Sequence, residues 1–204
     1  YDSQNEKYRY YISLPGVETG YLASGSKYIP PMQGFMVHAK STGTKTITIE
    51  KADLAHQAQT TFYKSGYNLV PGSMALTLIL GERRDEAFVH FTPGATEAFD
   101  GQYDAYKLLS GNAAIPEIYT TNSGNVKFAI NGLPELSEQT EVPVSIKANQ
   151  PGVYTISADL SNLPATTYLN DLKTGTVHNL SQNPAYTFTA SEGDAPNRFK
   201  LTFG

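Results

Sequence analysis

The sequence predicts an all-β protein, built as an antiparallel β-sandwich or a jelly-roll-like variant of it. Three observations predict this class. Apolar and polar residues alternate with a period of two in many short segments, turn-forming Gly, Pro or Asn stands in most gaps, and Tyr and Thr are frequent. Alternation of this kind places one face of a strand in a core, and aromatic and β-branched side chains suit that half-buried surface.

The alternating segments follow one another along most of the chain. In GFMVHA (34–39) and KTITIE (45–50), apolar residues occupy every second position. The other segments predicted as strands are EAFVHF (86–91), NVKFAI (125–130), EVPVSIK (141–147), GVYTISA (152–158), TTYLND (166–171), AYTFTA (185–190) and RFKLTF (198–203). Strands joined by short turns favour antiparallel pairing, and only residues 49–60 have the composition of a weak helix.

The Pro71–Gly72 pair divides the chain into two predicted β-modules. Residues 73–204 contain enough predicted strands for a complete sandwich. Residues 1–72 contain about half as many and fit the end of a preceding jelly roll. The chain begins at Tyr1 without an initiator Met or a signal peptide. We therefore expect a processed piece of a longer polypeptide that has neighbouring domains.

Composition and missing motifs argue against several classes of protein. The net charge is -4 and the sequence contains no Cys. A basic nucleic-acid surface is therefore not expected, and a disulfide framework and a Cys-based zinc site are excluded. No apolar stretch reaches the roughly 18–20 residues that a transmembrane helix needs. The sequence lacks the motifs of nucleophilic, phosphate-binding and zinc-dependent enzymes, which predicts a protein without catalytic activity.

The segment FDGQYDAYKLLS (99–110) is the first candidate site, because it contains Asp100, Asp104 and Lys107. One interpretation is structural: Lys107 neutralises one or both aspartates at a corner of the sandwich, where the pair fixes geometry. The other interpretation is a metal site. Its ion would be Ca²⁺, since carboxylate oxygens on a loop are the ligands that calcium prefers.

Tyrosines of the N-terminal part form the second candidate site. Tyr8, Tyr10, Tyr21 and Tyr28 could stack against sugar rings if their side chains are exposed. The alternative is that they are strand residues whose polar tips reach water. The absence of Trp favours this second explanation. A glycan-active enzyme would instead need two facing carboxylates from the acidic cluster at 82–104.

Longer motifs resemble a known group of proteins. YIPPMQGFMVHA (28–39) and DEAFVHFTPGATEAFDGQYDAYKL (85–108) resemble segments of β-rich modules in large secreted and surface proteins of Gram-negative bacteria. Those proteins use the type IX secretion pathway, and the module precedes their C-terminal sorting domain. YLNDLKTGTVHNL (168–180), YTFTA (186–190) and RFKLTF (198–203) resemble the closing part of that module. The same segments also resemble those of related surface adhesins of gut bacteria.

The resemblance implies an extracellular or cell-surface location and brings no catalytic residue. We therefore predict a non-catalytic structural or adhesion module of an exported multidomain protein. Its expected partners are host or bacterial glycans or proteins and the neighbouring domains of the same polypeptide. The alternative prediction is a carbohydrate-binding module attached to a glycan-active protein.

Overall fold

The computed structural model describes residues 10–13, 21–23, 29, 35–37, 39, 41–54 and 69–204. Its strands are β1 Tyr11–Ser13, β2 Tyr21–Ala23, β3 Ser73–Leu80, β4 Arg83–Phe91, β5 Ala105–Tyr106, β6 Glu117–Thr121, β7 Lys127–Leu133, β8 Glu141–Lys147, β9 Gly152–Asn162, β10 Thr167–Asp171, β11 Thr176–Asn179, β12 Ala185–Ala190 and β13 Phe199–Phe203. A single 3-10 turn at Lys51–Asp53 is the only helical element in these ranges. The all-β prediction is confirmed.

Eleven of these strands form one mixed sheet. Ten of them are ordered β11-β10-β13-β8-β6-β7-β4-β3-β9-β12, and β5 pairs with β7 beside this path. The expectation of purely antiparallel pairing is wrong at one place, because β4 and β7 run parallel from Phe88↔Ile130 to Phe91↔Leu133. Parallel strands need a long connection. Here residues 92–126, which contain β5 and β6, supply it.

The sheet folds back on itself and encloses the main hydrophobic core. Strands β3, β4, β9 and β12 contribute one wall of this core, and β8, β10 and β13 contribute the facing wall. The rings of Phe188 in β12 and Phe199 in β13 lie 4.8 Å apart in an edge-to-face contact. Those of Phe91 and Phe203 lie 5.4 Å apart in the same arrangement. The two walls pack face to face through these inward side chains, so the architecture is sandwich-like.

A second, smaller core covers the outer face of β3, β4 and β7. It contains Ala75, Phe88 and Ile130 from these strands, and Tyr10 and Val70 from the N-terminal part. Central strands of this sheet are therefore buried on both faces. In β3 the first four residues are all buried. A strand buried on both faces shows no alternation, which explains why the period-two pattern does not reveal β3.

Two N-terminal segments differ from the prediction. Residues 45–50 (KTITIE) are exposed and form no strand, and the described residues of GFMVHA, 35–37 and 39, are likewise exposed without strand structure. A segment with alternating apolar residues forms a strand only where a partner strand and a core are available to it. No strand of the described ranges pairs with these residues.

The Pro71–Gly72 turn is held by backbone hydrogen bonds. The Gly72 N–H donates to the Asn162 carbonyl at 2.8 Å, and the Phe91 N–H donates to the Gly72 carbonyl at 2.9 Å. Gly72 has φ +78, and a Cβ there would lie 2.8 Å from the Phe91 oxygen. Glycine is therefore required at this turn. The division of the chain into 1–72 and 73–204 stays a prediction.

Candidate functional site

The segment 99–110 begins with a tight turn built by Asp100. The Asp100 carbonyl accepts hydrogen bonds from the N–H groups of Tyr103 at 2.9 Å and Asp104 at 2.7 Å. Its carboxylate Oδ1 accepts from the N–H of Gln102 at 2.9 Å. Aspartate side chains stabilise turns in this way by satisfying nearby backbone donors. The main observed role of Asp100 is thus to close the turn.

Asp104 is a buried carboxylate that holds the turn against β7. Its Oδ2 accepts the Asp100 N–H at 2.5 Å, and its Oδ1 accepts the Gly132 N–H at 2.7 Å. Burial raises the pKa of Asp104 to about 6, although these two backbone donors act in the opposite direction. The nearby Asp100 carboxylate raises the pKa further. Burial dominates because it penalises the charged form.

Lys107 does not neutralise Asp100 or Asp104, contrary to the structural interpretation of this segment. Its Nζ contacts the Oδ2 atom of Asp85 in β4. The two side chains are only 2% and 4% exposed. The same Asp85 Oδ2 accepts the Ile118 N–H at 2.8 Å. The Lys107–Asp85 pair therefore connects β4, β6 and the segment that follows β5.

Aromatic rings cover the apolar side of the 99–110 segment. Phe99 stacks on Tyr106 with ring centroids 3.8 Å apart, and Phe128 lies 6.2 Å from the Phe99 ring. Tyr103 packs against the second core. Parallel stacking of this kind adds to the free energy gained from burial. The segment is therefore anchored by its rings as well as by its charges.

His90, Gly132 and Tyr103 pack closely against one another. The His90 Nε2 lies 3.1 Å from the Tyr103 carbonyl oxygen. Burial lowers the pKa of His90, while the hydrogen bond to the Tyr103 backbone raises it. A Cβ on Gly132 would lie 2.5 Å from the Tyr103 Cβ and 2.8 Å from the His90 Nε2. The site therefore has space only for glycine.

Glu117 is a further buried carboxylate close to the end of this segment. Its Oε1 accepts the Ser110 N–H at 2.6 Å. Its Oε2 lies 3.5 Å from the Lys147 Nζ, yet it accepts no hydrogen bond from any described residue. Burial raises the pKa of the neighbouring Tyr119, and the Glu117 charge adds to that increase.

A second buried ion pair lies in the main core between β10 and β13. The Arg198 Nε donates to Asp171 Oδ1 at 2.8 Å, and Nη2 donates to Oδ2 at 2.6 Å. Nη1 donates to the Thr189 carbonyl at 2.8 Å. The guanidinium also lies over the Phe188 ring, 4.6 Å from its centroid. Such a two-pronged contact between a guanidinium and a carboxylate is a strong form of ion pair, because two charge-assisted hydrogen bonds act together.

The Asp171 carboxylate collects further donors. Tyr186 donates its hydroxyl to Oδ2 at 3.0 Å, and the Lys173 N–H donates to Oδ1 at 3.0 Å. Burial alone would raise the pKa of Asp171, but hydrogen bonds from Arg198, Tyr186 and Lys173 lower it to about 2. The arrangement neutralises a buried charge and offers no free group for chemistry.

The tyrosine candidates fall partly outside the described residues. Tyr10 is buried, and its hydroxyl accepts the Leu108 N–H at 2.9 Å. The prediction of an exposed Tyr10 for sugar stacking is therefore wrong, because the ring belongs to the second core. Tyr21 lies in β2, with its side chain outside the described part of the structure. Tyr8 and Tyr28 lie outside it altogether.

Two further features of the described residues would bear on function: a group of side chains that could bind a metal ion, and a helix that could span a membrane. Within these ranges no three His, Asp or Glu side chains are grouped so that they could hold a metal ion. Calcium binding by Asp100 and Asp104 stays a prediction. The helical structure in the described part of the chain includes nothing long and apolar enough to cross a bilayer.

Comparison with known proteins gives the family. A family model described as "Domain of unknown function (DUF8693)" matches residues 1–203. The chain belongs to this family. This DUF8693 chain is also 27% identical over 188 residues to the "Minor fimbrium subunit Mfa5" of Porphyromonas gingivalis. The match covers 86% of this chain and 15% of Mfa5. No solved structure matches the chain.

The partners within the two most deeply buried ion pairs are not evident from the sequence. Sequence patterns pair neither Asp171 with Arg198 nor Asp85 with Lys107. A signal for Asp85 exists in β4, because it shares the inward face with Ala87 and Val89. A charged side chain at such a position needs a buried partner.

Proposed function

We propose that this chain is a non-catalytic structural or adhesion module of a multidomain protein on a bacterial cell surface. The observation that carries the proposal is the similarity to a fimbrium subunit over 86% of the chain. Type IX secretion is the proposed export route, on the strength of the sequence resemblance. Because the chain spans only 15% of that relative, the partners we propose are other domains or subunits.

The geometry of the described residues supports a passive role. Two buried ion pairs, Lys107–Asp85 and Arg198–Asp171, have both partners engaged inside the fold. One open depression is lined by Pro71, Gly72, Ser161, Asn162, Leu163 and Pro164. None of these lining residues has an acidic or basic side chain, so the lining offers no general acid and no base that would activate the Ser161 hydroxyl.

The sheet itself suits a module that carries load between neighbours. β3 pairs with β4 over eight residues, from Ser73↔His90 to Leu80↔Arg83. On its other side β3 pairs with β9. Long ladders on both sides of a central strand must break many hydrogen bonds together if the strand is pulled along its axis. This property fits a spacer within a surface assembly.

Surface display is the first property to test. Antibodies raised against the purified chain should label intact cells of the source bacterium, and external protease should remove the signal. A cytosolic protein probed in the same cells serves as the control and should survive the protease. Antigen that is protected until the envelope is opened would overturn the proposal. A mutant strain without the type IX translocon tests the export route separately, since loss of display there would identify it.

A further inference from the structure

Among the ion pairs of the described residues, the Lys107–Asp85 pair is the most completely buried pair of an amine and a carboxylate. It joins a primary amine to a carboxylate, and both side chains are almost fully buried at 2% and 4% exposure. The Lys173–Asp194 and Lys200–Glu141 pairs are also amine–carboxylate pairs, but their side chains are more exposed to water. The buried Asp171 pairs with Arg198, whose guanidinium is a poor nucleophile.

The surroundings of the pair are largely apolar. Asp85 lies on the face of β4 that carries Ala87 and Val89 into the main core. The Tyr10 ring lies 5.8 Å from the Lys107 Nζ. An amine and a carboxylate that the fold holds in contact and shields from bulk solvent gain the full advantage of proximity when they react.

We propose that Lys107 and Asp85 condense to form an intramolecular isopeptide bond. One proton first moves from the Nζ ammonium to the Asp85 carboxylate, where Oδ1 carries it, which gives a neutral amine and a carboxylic acid without changing the net charge. The Nζ lone pair then attacks Cγ. The C–N bond forms, the bond from Cγ to Oδ1 breaks, and that oxygen leaves as water with two protons that Nζ has given up. The amide keeps one N–H, and no oxidant or cofactor is needed.

The Ile118 backbone has the position that this reaction requires of an oxyanion donor. Its N–H already donates to the Asp85 Oδ2 at 2.8 Å. Negative charge develops on this oxygen when Nζ attacks Cγ, and a fixed backbone donor stabilises it. The same hydrogen bond would persist to the carbonyl oxygen of the product amide. The retained oxygen is therefore Oδ2, and the leaving oxygen is Oδ1.

The bond would fasten β4 covalently to the segment that follows β5. These two parts of the chain are 22 residues apart, and Lys107 is further tied to β7 by its N–H bond to the Lys127 carbonyl at 2.8 Å. A covalent link there keeps this part of the sheet closed when hydrogen bonds break. This inference concerns a modification of the chain itself and does not depend on where the protein is located.

Intact-mass spectrometry of the denatured, purified chain tests the proposal. We expect a mass lower than the sequence mass by one water. Tryptic mapping then locates the bond, because Lys107 with an acylated Nζ is not cleaved. The expected product is one peptide spanning 85–127 that has lost one water and contains an internal loop. Separate, unmodified peptides 85–107 and 108–127 after prolonged incubation of the folded chain would overturn the proposal.

Matched variants complete the experiment. Lys107→Arg keeps the positive charge but should have the full sequence mass. Lys200→Arg changes an exposed amine that pairs with Glu141, and this control should still lack one water. A dehydrated Asp100–Gly101 succinimide would also lower the mass, but trypsin would then still cut after Lys107. That pattern would refute the bond. The wild-type peptide map decides the question even if Lys107→Arg fails to fold.

Discussion

Replacing Asp171 with Asn should destabilise the fold strongly. The asparagine side chain would keep the shape of the aspartate but would leave the Arg198 guanidinium without its charge partner in the core. Asp171 is 1% exposed and Arg198 is 5% exposed, so water cannot replace the lost carboxylate. Breaking a buried pair by removing one partner costs about 3–5 kcal/mol.

The pKa of Asp171 gives an independent magnitude. Its decrease from 3.8 to about 2 corresponds to about 2 kcal/mol of stability at neutral pH. We therefore expect Asp171→Asn to lower the free energy of unfolding by about 3 kcal/mol, which lowers Tm by about 6–12 °C for a chain of this size. Because the folded pKa is the lower one, this contribution is complete above about pH 4 and is lost as the pH falls towards 2.

Urea denaturation followed by far-UV circular dichroism measures this effect. The midpoint should shift with little change in slope, and the difference between wild type and Asp171→Asn should narrow below about pH 4. Asp194→Asn is the matched control, because Asp194 forms a more exposed pair with Lys173. It should cost less than about 1 kcal/mol. Equal losses in the two variants would refute the reasoning.

Two further predictions concern the 99–110 segment and its contacts. Gly132→Ala should destabilise by about 2 kcal/mol or more, whereas Gly124→Ala, which meets only Asn122 Oδ1 at 3.4 Å, should have little effect on thermal unfolding. The pKa of Asp104 is raised to about 6 in the folded chain. Protonation of this side chain as the pH falls from 7 to 4 should therefore increase the free energy of unfolding by up to about 3 kcal/mol. Asp104→Asn should lack this pH dependence in urea titrations, and an unchanged dependence would contradict the assignment.

Strand prediction succeeded where strands have one buried and one exposed face. In β10 and β13 the inward residues alternate strictly with half-exposed ones, and the sequence shows this period directly. In β3 both faces are buried, so the period disappears. At 45–50 the reverse holds, because a clear alternation has no partner strand in the described structure. The alternation of apolar and polar residues shows that a segment is amphipathic. Whether that segment pairs with another strand depends on the rest of the chain.

The partner of Lys107 could not be read from nearby sequence. Asp100 and Asp104 lie closest along the chain, but the parallel pairing of β4 with β7 places Asp85 beside the amine. That pairing depends on a long connection, which local patterns do not specify. The same holds for Asp171 and Arg198. Asp171 ends β10 and Arg198 directly precedes β13, so the two side chains meet only when these strands pair. Both buried ion pairs thus join residues that are far apart in the sequence, and local sequence patterns do not identify the two partners.

The central position of β3 has a consequence for the order of folding. Its first neighbour, β4, follows directly along the chain, but its second neighbour is β9, where Ser73 pairs with Asn162. Hairpin β3–β4 can form early, whereas the other edge of β3 stays open until residues far downstream arrive. Pairings this distant slow folding to the millisecond-to-second range. During that interval the open edge of β3 is exposed to pairing with a strand of another molecule.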